Sequence, residues 1–332
     1  MTTVTAPYAG RAVLITGGLG MIGSNLAHAL VEAGARVTIL DALLPLYGGN
    51  LFNVKDIADR VTVEVGDLRD AALVQRIVRG QEVIFNLAAQ VSYLDSMEDP
   101  LLDLDINCRG HLILLEACRH HNREARVIFT GSRLEYGPAR TLPVAESHPI
   151  DPLMIYGIHK FAGERYHLLY HRQYGLPTTG LRLTNPYGIR QQMKHSRYGL
   201  VNWFIRQAME GRTITVFGDG AQKRDYVYVT DIVEALMAVG ASDATIGQVY
   251  NVGVGAGTSF REMVEVVLEV VGRGEMACVP WPPDYTHVDT VDFIPDVSAL
   301  AAATGWRPKI GLREGVTATH AYYAAHRDHY WS

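Results

Sequence analysis

Apolar and polar residues follow two alternating patterns over the first half of the chain. Short β-branched and apolar runs predict strands. Each run is followed by a stretch with apolar residues three or four apart, which predicts a helix. The predicted strands are 11–16 (RAVLIT), 36–40 (RVTIL), 61–67 (VTVEVGD), 82–86 (EVIFN), 126–130 (RVIFT) and 178–184 (TTGLRLT). Strands that alternate with helices from the start of a chain favour a parallel, doubly wound α/β sheet over a sandwich.

The pattern changes after the sixth predicted strand. A polar loop containing QQMKHSRYG precedes a helix (LVNWFIRQAMEG), a short strand (TITVFG), a further helix at 260–271, a Pro-rich stretch at 280–295 and a terminal amphipathic helix. No internal repeat or low-complexity tract interrupts this order. We therefore expect a second, smaller lobe of mixed α/β structure, with the segment near residues 230–252 returning to the first lobe.

Composition limits the class of protein. With 332 residues, 48% hydrophobic and 20% charged, the chain has the make-up of a soluble globular protein with a sizeable core. A formal net charge of −5 without a Lys/Arg run argues against a nucleic-acid surface. The start MTTVTAPYAG lacks the basic start and apolar core of a signal peptide, and no apolar run is long enough to span a membrane.

The cysteines favour a reducing compartment. Cys108, Cys118 and Cys278 are widely spaced and include no CxxC pair, so neither a disulfide framework nor a metal site is predicted. Small apolar packing residues are the simpler interpretation of all three. We expect a cytoplasmic protein without a metal.

A glycine turn follows the first predicted strand directly. Gly17, Gly20 and Gly23 stand in TGGLGMIG, and the apolar pattern of a helix begins at Met21 and Ile22. Glycines at this place permit a tight turn, close approach of the backbone to a pyrophosphate and close packing of helix on strand, while the helix N-terminus offers free N–H groups. Strand, turn and helix together predict a dinucleotide site.

An acidic residue ends the second predicted strand. Asp41 lies about 20 residues beyond the turn, where a carboxylate accepts both ribose hydroxyls of an adenosine and repels a 2′-phosphate. No Lys or Arg follows until Lys55, so NAD is favoured over NADP. Asp67 and Leu68 end the third strand, and Asp67 is either an adenine contact or the N-cap of the next helix. Small residues in Leu87-Ala88-Ala89 let a cofactor pass close to the backbone.

Tyr156 and Lys160 share one face of a predicted helix, because residues four apart lie one turn from each other. An ammonium below a phenol stabilises the phenolate and would make a group of pKa about 10 a usable base near neutral pH. A chance occurrence of Tyr and Lys at this spacing is the alternative. The surrounding motifs have to decide between the two.

Several motifs occur together in one order: TGGLGMIG, Asp41, GDL, NLAA, a serine before a Tyr-Gly pair, YGIHK, RLTNPYG and RDYVYV. In this order they resemble the extended short-chain dehydrogenase/reductases, particularly the nucleotide-sugar epimerase and dehydratase branch, over nearly the whole chain. The resemblance implies a Rossmann-type NAD-binding domain of residues 1–183, to which 227–252 return. It implies a nucleotide-sugar-binding lobe of residues 184–226 and 253–332.

The resemblance also implies roles for single residues. Tyr156 is similar to the family's acid/base, Lys160 to the residue that lowers its pKa and binds the nicotinamide ribose, and Ser132 to the hydroxyl that orients the substrate. Asn185 and Arg224 are similar to the diphosphate contacts, and a guanidinium suits that role through two parallel hydrogen bonds; an ion pair of Arg224 with Asp225 is the alternative. The full substrate set implied in this way is Ser132, Arg133, Asn185, Val201, Val216, Phe217, Arg224 and Asp289.

Departures from the family's motifs narrow the expected chemistry. Arg133 and Leu134 follow Ser132 where the 4,6-dehydratases have Asp-Glu, which leaves redox chemistry at one carbon. Asn86 stands where many relatives have His. The late phosphate-binding Arg is missing around 285–292, and its possible replacements are His287, Asp289, Lys194 and Arg197.

The resulting expectation is an NAD-dependent 4-epimerase of a nucleotide-diphosphate sugar, with a UDP-sugar as its substrate. A 2-epimerase is one alternative, since GLVNWFIR resembles the tyvelose 2-epimerase group; a 4-keto-sugar reductase and a non-catalytic NAD-dependent sensor are others. Relatives form homodimers through two helices that correspond to Leu101–Cys118 and Ile155–Tyr170. Burial of both helices within one subunit is an equal interpretation.

Overall fold

A seven-stranded, all-parallel sheet forms the centre of the first lobe. The computed structural model describes residues 6–281 and 291–331. The strand order is β11-β6-β5-β4-β1-β2-β3, and every neighbouring pair is parallel. The strands are β1 (Ala12–Thr16), β2 (Arg36–Asp41), β3 (Val61–Val65), β4 (Val83–Asn86), β5 (Arg126–Ser132), β6 (Thr178–Leu183) and β11 (Val249–Val252). The predicted doubly wound parallel sheet is confirmed.

Helices cover both faces of this sheet because both faces of its strands are apolar. The helices α1 (Met21–Glu32) and α8 (Val229–Ala241) share one buried cluster with the sheet. The opposite cluster contains residues of α2 (Ala71–Ile77), α5 (Gly110–His121) and α6 (Ile155–Tyr174). β11 lies beside β6, so the chain returns to the sheet after entering the second lobe.

The helix expected at Leu101–Cys118 is present, but it is not uniform. It consists of α4 (Pro100–Leu104), a π-helical turn (Asp105–Arg109) and α5, and the short helix α3 (Tyr93–Glu98) precedes it. The Asp99 side chain caps α4 by accepting a hydrogen bond from the Leu102 N–H at 3.0 Å. Pro100 is the first residue of α4, where the N–H that proline lacks would have no partner within the helix. A π turn shifts the following helix face by one residue, and it brings Ile106 to the wall of the cleft described below.

The second lobe is built from short strand pairs and three longer helices. Its strands are β7 (Asn185–Tyr187), β8 (Thr213–Phe217), β9 (Lys223–Arg224), β10 (Tyr226–Tyr228), β12 (Thr258–Ser259) and β13 (Glu275–Val279). Its helices are α7 (Leu200–Met209), α9 (Phe260–Val271) and α11 (Leu312–His326), whereas the short helix α10 (Ser298–Thr304) packs beside β11 in the core of the first lobe. β13, which pairs with β8 in parallel, was missed because its run EMACV has no alternation of apolar and polar residues. In the described part of the chain, no helix has the length and apolarity to span a bilayer.

Candidate active site

A cleft of about 700 Å³ opens at the carboxyl ends of the sheet strands. Residues that directly follow or end β1 to β6 line it, among them Gly17, Asp41, Asp67, Leu87 and Ser132. Ligands bind open α/β sheets at this edge, because the loops there diverge on both faces of the sheet. Of the described residues, no group of His, Cys, Asp and Glu is arranged to hold a metal ion.

The glycine turn leaves room that any side chain would fill. Gly17 has φ +68°, and a Cβ on it would lie 2.9 Å from the Ala88 backbone nitrogen. Gly20 precedes α1 without a side-chain cap, so the first N–H groups of the helix remain available. Gly20, Met21, Ile22 and Gly23 all line the cleft. The turn therefore fits a pyrophosphate, which needs close backbone approach and N–H donors.

Asp41 is fixed by the backbone around it. Its Oδ2 accepts from the Leu19 N–H at 3.0 Å and its Oδ1 from the Leu43 N–H at 2.9 Å. Burial raises the pKa of Asp41, while these two N–H groups oppose that shift. A carboxylate has about four lone-pair sites, so acceptors remain for ribose hydroxyls. Lys55 lies over the Phe52 ring at 4.4 Å, so this cation is engaged elsewhere, and the site fits NAD.

Asp67 and the segment after β4 line the cleft. Asp67 is bound by Arg69 at 2.7 Å, and the N-cap of α2 is Asp70, so the N-cap alternative for Asp67 is wrong. The Thr16 hydroxyl accepts from the Leu87 and Ala88 N–H groups at 3.1 and 3.2 Å and thereby fixes that segment. Leu68, Leu87, Ala88 and Ala89 form part of the wall.

Asn86 does not reach the cleft. It is fully buried, and it contacts His111 and His167 at 3.0 and 3.1 Å beneath the sheet edge.

Ser132, Tyr156 and Lys160 meet in the middle of the cleft. Ser132 ends β5, Tyr156 and Lys160 lie on α6, and all three line the cleft. A Cβ on Gly157 would collide with the Leu134 carbonyl oxygen, so only glycine lets α6 approach the end of β5 this closely. The Tyr156 N–H donates to Ser96 Oγ at 3.1 Å and fixes the start of the helix. Sequence-distant residues are thus brought together by the contact of one helix with one strand end.

The electrostatics of this group differ from the prediction. Burial raises the pKa of Tyr156, the charge of Asp103 and that of Glu135, when it is ionised, raise it further, and the Ser132 hydroxyl opposes them. Burial lowers the pKa of Lys160 to about 8, against the opposing effect of Glu135 and Asp103. The expected lowering of the Tyr156 pKa is therefore outweighed by desolvation. The phenol is the favoured form, ready to act as the acid of an acid/base pair.

Polar residues of the second lobe form the far side of the cleft. Arg133 Nε donates to Asn185 Oδ1 at 3.2 Å, and Asn185 Nδ2 donates to the Asp225 carbonyl at 2.7 Å. Arg224 donates to the carbonyls of Lys223 and Val291 at 2.8 and 2.6 Å. Arg133, Asn185 and Arg224 all line the cleft. These contacts orient two guanidinium groups and one amide on the same wall.

The strand β8 sends alternate residues to opposite sides. Phe217 lines the cleft together with Val201, but Val216 is fully buried in the core of the second lobe. The prediction for Val216 is wrong, since neighbouring residues on a strand point to opposite faces. Asp289 and His287 lie outside the described residues.

The proposed replacements for the late phosphate-binding Arg differ in their position relative to the cleft. Arg197 lines the cleft but binds the carboxylates of Asp95 and Glu98. Lys194 is exposed, and it is absent from the described lining of the cleft. Neither is therefore placed as a dedicated diphosphate ligand.

Large aromatic residues of the cleft were missed by the sequence analysis. They are Tyr47, Tyr198, Trp203, Phe204, Tyr226, Phe260 and Trp281. A signal existed for Trp203 and Phe204, because adjacent helical positions cannot both point straight at one core. Phe217 and Trp281 lie 5.5 Å apart between ring centres, a spacing typical of aromatic pairs.

Comparisons with known proteins identify the family of the chain. The profile of the NAD dependent epimerase/dehydratase family matches residues 13–253. The UDP-glucose 4-epimerase of Mycolicibacterium smegmatis is 33% identical over 314 residues, covering 93% of this chain and 97% of that protein. A dTDP-glucose 4,6-dehydratase of Xanthomonas campestris is 32% identical over 335 residues, covering 93% of this chain and 92% of that protein.

A solved structure is similar over the same length. The UDP-glucose 4-epimerase of Thermotoga maritima, solved with UDP-glucose, has a TM-score of 0.87 at 30% identity and covers 96% of this chain and 100% of that one. The family profile spans most of the chain, including the glycine turn, Ser132 and the Tyr156–Lys160 pair. The chain therefore belongs to the NAD dependent epimerase/dehydratase family and is an NAD-dependent enzyme.

Proposed function

We propose that this enzyme interconverts the two configurations at carbon 4 of a nucleotide-diphosphate sugar, with a UDP-sugar as substrate. The observation that carries the proposal is that Ser132, Tyr156 and Lys160 line one cleft, which also fits NAD. An acid/base group, a hydroxyl that orients the substrate and a nearby cation are what proton transfer at a single carbon requires.

The protein's side chains supply the proton transfer. The glycine turn and Asp41 would hold NAD, which would supply the acceptor and the donor of the hydride at the substrate carbon. Tyr156 in its ionised form accepts the hydroxyl proton during oxidation and, as the phenol, gives it back during reduction, and the Ser132 hydroxyl is placed to hold the same oxygen. Lys160 brings a positive charge to the site, which favours ionised Tyr156 over the phenol. General acid/base help of this kind typically contributes a factor of about 10² to 10⁴.

The residues around Ser132 support epimerisation over dehydration. Loss of water across two carbons requires an acid and a base beside the sugar, yet Asp41 and Asp67 are the only acidic residues among the described ones that line the cleft. Both belong to the cofactor half. Arg133 and Leu134 line the sugar half, and neither exchanges protons at neutral pH.

The nucleotide half of the substrate has candidate contacts on the second lobe. Arg133, Asn185 and Arg224 offer hydrogen-bond donors to a diphosphate, and the ring of Phe217 offers a flat surface for a base. The choice of UDP follows the relatives, since the proteins from M. smegmatis and T. maritima are named UDP-glucose 4-epimerases.

The test is isomer formation from a panel of UDP-sugars, followed by chromatography and mass spectrometry. We expect a 4-epimer to appear without net change in NADH absorbance, and Tyr156→Phe to abolish turnover while bound NAD is retained. Activity retained in Tyr156→Phe would refute the mechanism. Stoichiometric consumption of NADH would instead identify a reductase, and isomers that differ at carbon 2 would identify a 2-epimerase.

A further inference from the structure

A buried charge cluster lies behind Ser132, outside the cleft. It consists of Glu135, Glu164 and Arg182, which are 0%, 1% and 5% exposed. None of the three lines the cleft. Glu135 ends a short 3₁₀ helix (Arg133–Glu135), Glu164 lies on α6 one turn after Lys160, and Arg182 lies on β6. The cluster thus joins the three elements that meet at the catalytic group.

Glu135 fixes Ser132 through a capping box. Its Oε1 accepts from the Ser132 N–H at 2.7 Å, and Ser132 Oγ accepts from the Leu134 N–H at 3.2 Å. These two bonds hold both the backbone and the hydroxyl of the residue that contacts Tyr156. Loss of the Glu135 carboxyl would leave a buried N–H without its partner, which destabilises that one backbone position.

The cluster holds two carboxyl groups against one guanidinium. Arg182 donates to both oxygens of Glu164 at 2.7 Å, whereas its Nε is 3.3 Å from Glu135 Oε2. Glu135 Oε2 is buried and accepts no hydrogen bond from any described residue. Glu135 and Glu164 thus share a single guanidinium. Two buried carboxyl groups that share one cation cannot both be ionised at low cost, so one of them holds a proton.

We propose that Glu135 is a positioning residue that acts in its protonated form: one carboxyl oxygen holds Ser132 beside Tyr156, and the other carries the acid proton. Burial and the charge of Glu164 both raise the pKa of Glu135 well above its usual value, whereas Arg182 and the Ser132 N–H lower it. The kinetic consequence rests on the proposed function, and the protonation does not.

The protonation state matters because charged groups surround Glu135. Arg182 lies on β6, and Tyr156, Lys160 and Glu164 lie on α6. Tyr136 and Glu146 lie on the segment between β5 and α6. The charge of Asp103 on α4 acts on the same Tyr156 and Lys160. An ionised Glu135 raises the Tyr156 pKa. A neutral Glu135 leaves Ser132 fixed without adding a negative charge beside the phenol.

Three variants of the NAD-loaded enzyme test the proposal. Glu135→Gln keeps the acceptor for Ser132 and a donor toward Glu164, so we expect kcat within about threefold of wild type and an unshifted acidic limb of the kcat–pH profile. Glu135→Ala removes the acceptor, so kcat should fall by about tenfold or more with KM nearly unchanged. Glu262→Ala removes the equivalent Glu from the exposed capping box of Ser259 on α9, and kcat should not change.

The opposite results would overturn the proposal. If Glu135 is ionised, Glu135→Gln lowers the Tyr156 pKa and moves the acidic limb to lower pH. If Glu135→Ala keeps full kcat, Glu135 does not position Ser132. An infrared spectrum at neutral pH should show the carbonyl stretch of a protonated carboxyl group in wild type and lack it in Glu135→Gln. This measurement decides the protonation even if Glu135→Ala fails to fold or no UDP-sugar is turned over.

Discussion

The ammonium of Lys160 lies 4.8 Å from the centre of the Phe129 ring, inside the sheet edge. Lys160 is only 3% exposed, so its charge has lost nearly all contact with water. An aromatic face compensates a buried cation in part. The remaining desolvation explains why the pKa of Lys160 falls to about 8. The structure thus keeps a destabilising charge next to the group that moves the proton.

Replacing Lys160 should separate activity from stability. For Lys160→Met we expect kcat to fall by about 10² or more, while the melting temperature stays level or rises, because a buried ammonium is exchanged for an apolar chain that packs against Phe129. Lys55→Met is the matched control, since Lys55 lies over the Phe52 ring at 4.4 Å but is exposed. Turnover assays and thermal melts decide; a large loss of stability with retained kcat would contradict the assignment.

The buried histidines should make the fold sensitive to acid. Burial lowers the pKa of His167 to about 4 and that of His111 well below its usual value. Both are neutral in the folded state, so the unfolded chain binds more protons once the pH falls below about 6.5. The free energy of unfolding should therefore have its full value above that pH. It should decrease by about 1.4 kcal/mol per pH unit for each histidine as the pH falls toward about 4.

Denaturant titrations between about pH 7 and pH 5 measure this slope. His167→Gln keeps an acceptor for the Asn86 amide, which lies 3.1 Å from His167 Nε2, and it should reduce the slope by about one proton. His120→Gln is the control, because His120 is exposed. An unchanged slope in His167→Gln would show that His167 titrates normally.

The glycine turn should tolerate no side chain. In Gly17→Ala the new Cβ would lie 2.9 Å from the Ala88 nitrogen, at φ +68°, so the turn must move away from the pyrophosphate position. Gly175→Ala has a similar φ of +72° but no neighbour within 4 Å. Both carry the same backbone strain of about 1 kcal/mol, and only Gly17→Ala should lose bound NAD. The absorbance of the nucleotide released by acid, divided by the absorbance of the purified protein, measures the amount of bound NAD.

An apolar surface on the described helices supports a homodimer. Met97 and Leu101 on α3 and α4 are 55% and 74% exposed, and Ile158 on α6 is 47% exposed. Burying such side chains against a second subunit would contribute about 25 cal/mol per Å². Leu101→Glu should therefore give a monomer in light scattering, whereas Val65→Glu, at a position 58% exposed on the sheet edge strand β3, should not change the mass. A wild-type monomer would remove the dimer proposal.

The local pattern of the sequence determined the sheet and its cofactor half. Strands and helices follow from apolar residues two or about four apart, and these short-range periods need no knowledge of the fold. The glycine turn and Asp41 act through backbone geometry close to them in sequence, so their placement at the cleft could be predicted. Tyr156 and Lys160 share a helix face for the same reason.

Only the tertiary structure decided which side chains face the cleft and what charge they feel. Val216 and Phe217 differ in direction because the core of the second lobe covers one face of β8. Asp70 rather than Asp67 is the N-cap of α2, because Asp67 forms an ion pair with Arg69. The raised pKa of Tyr156 and the contact of Glu135 with Ser132 depend on burial between β5, β6 and α6. Desolvation arises from the packing of distant segments, and no local pattern in the sequence encodes it.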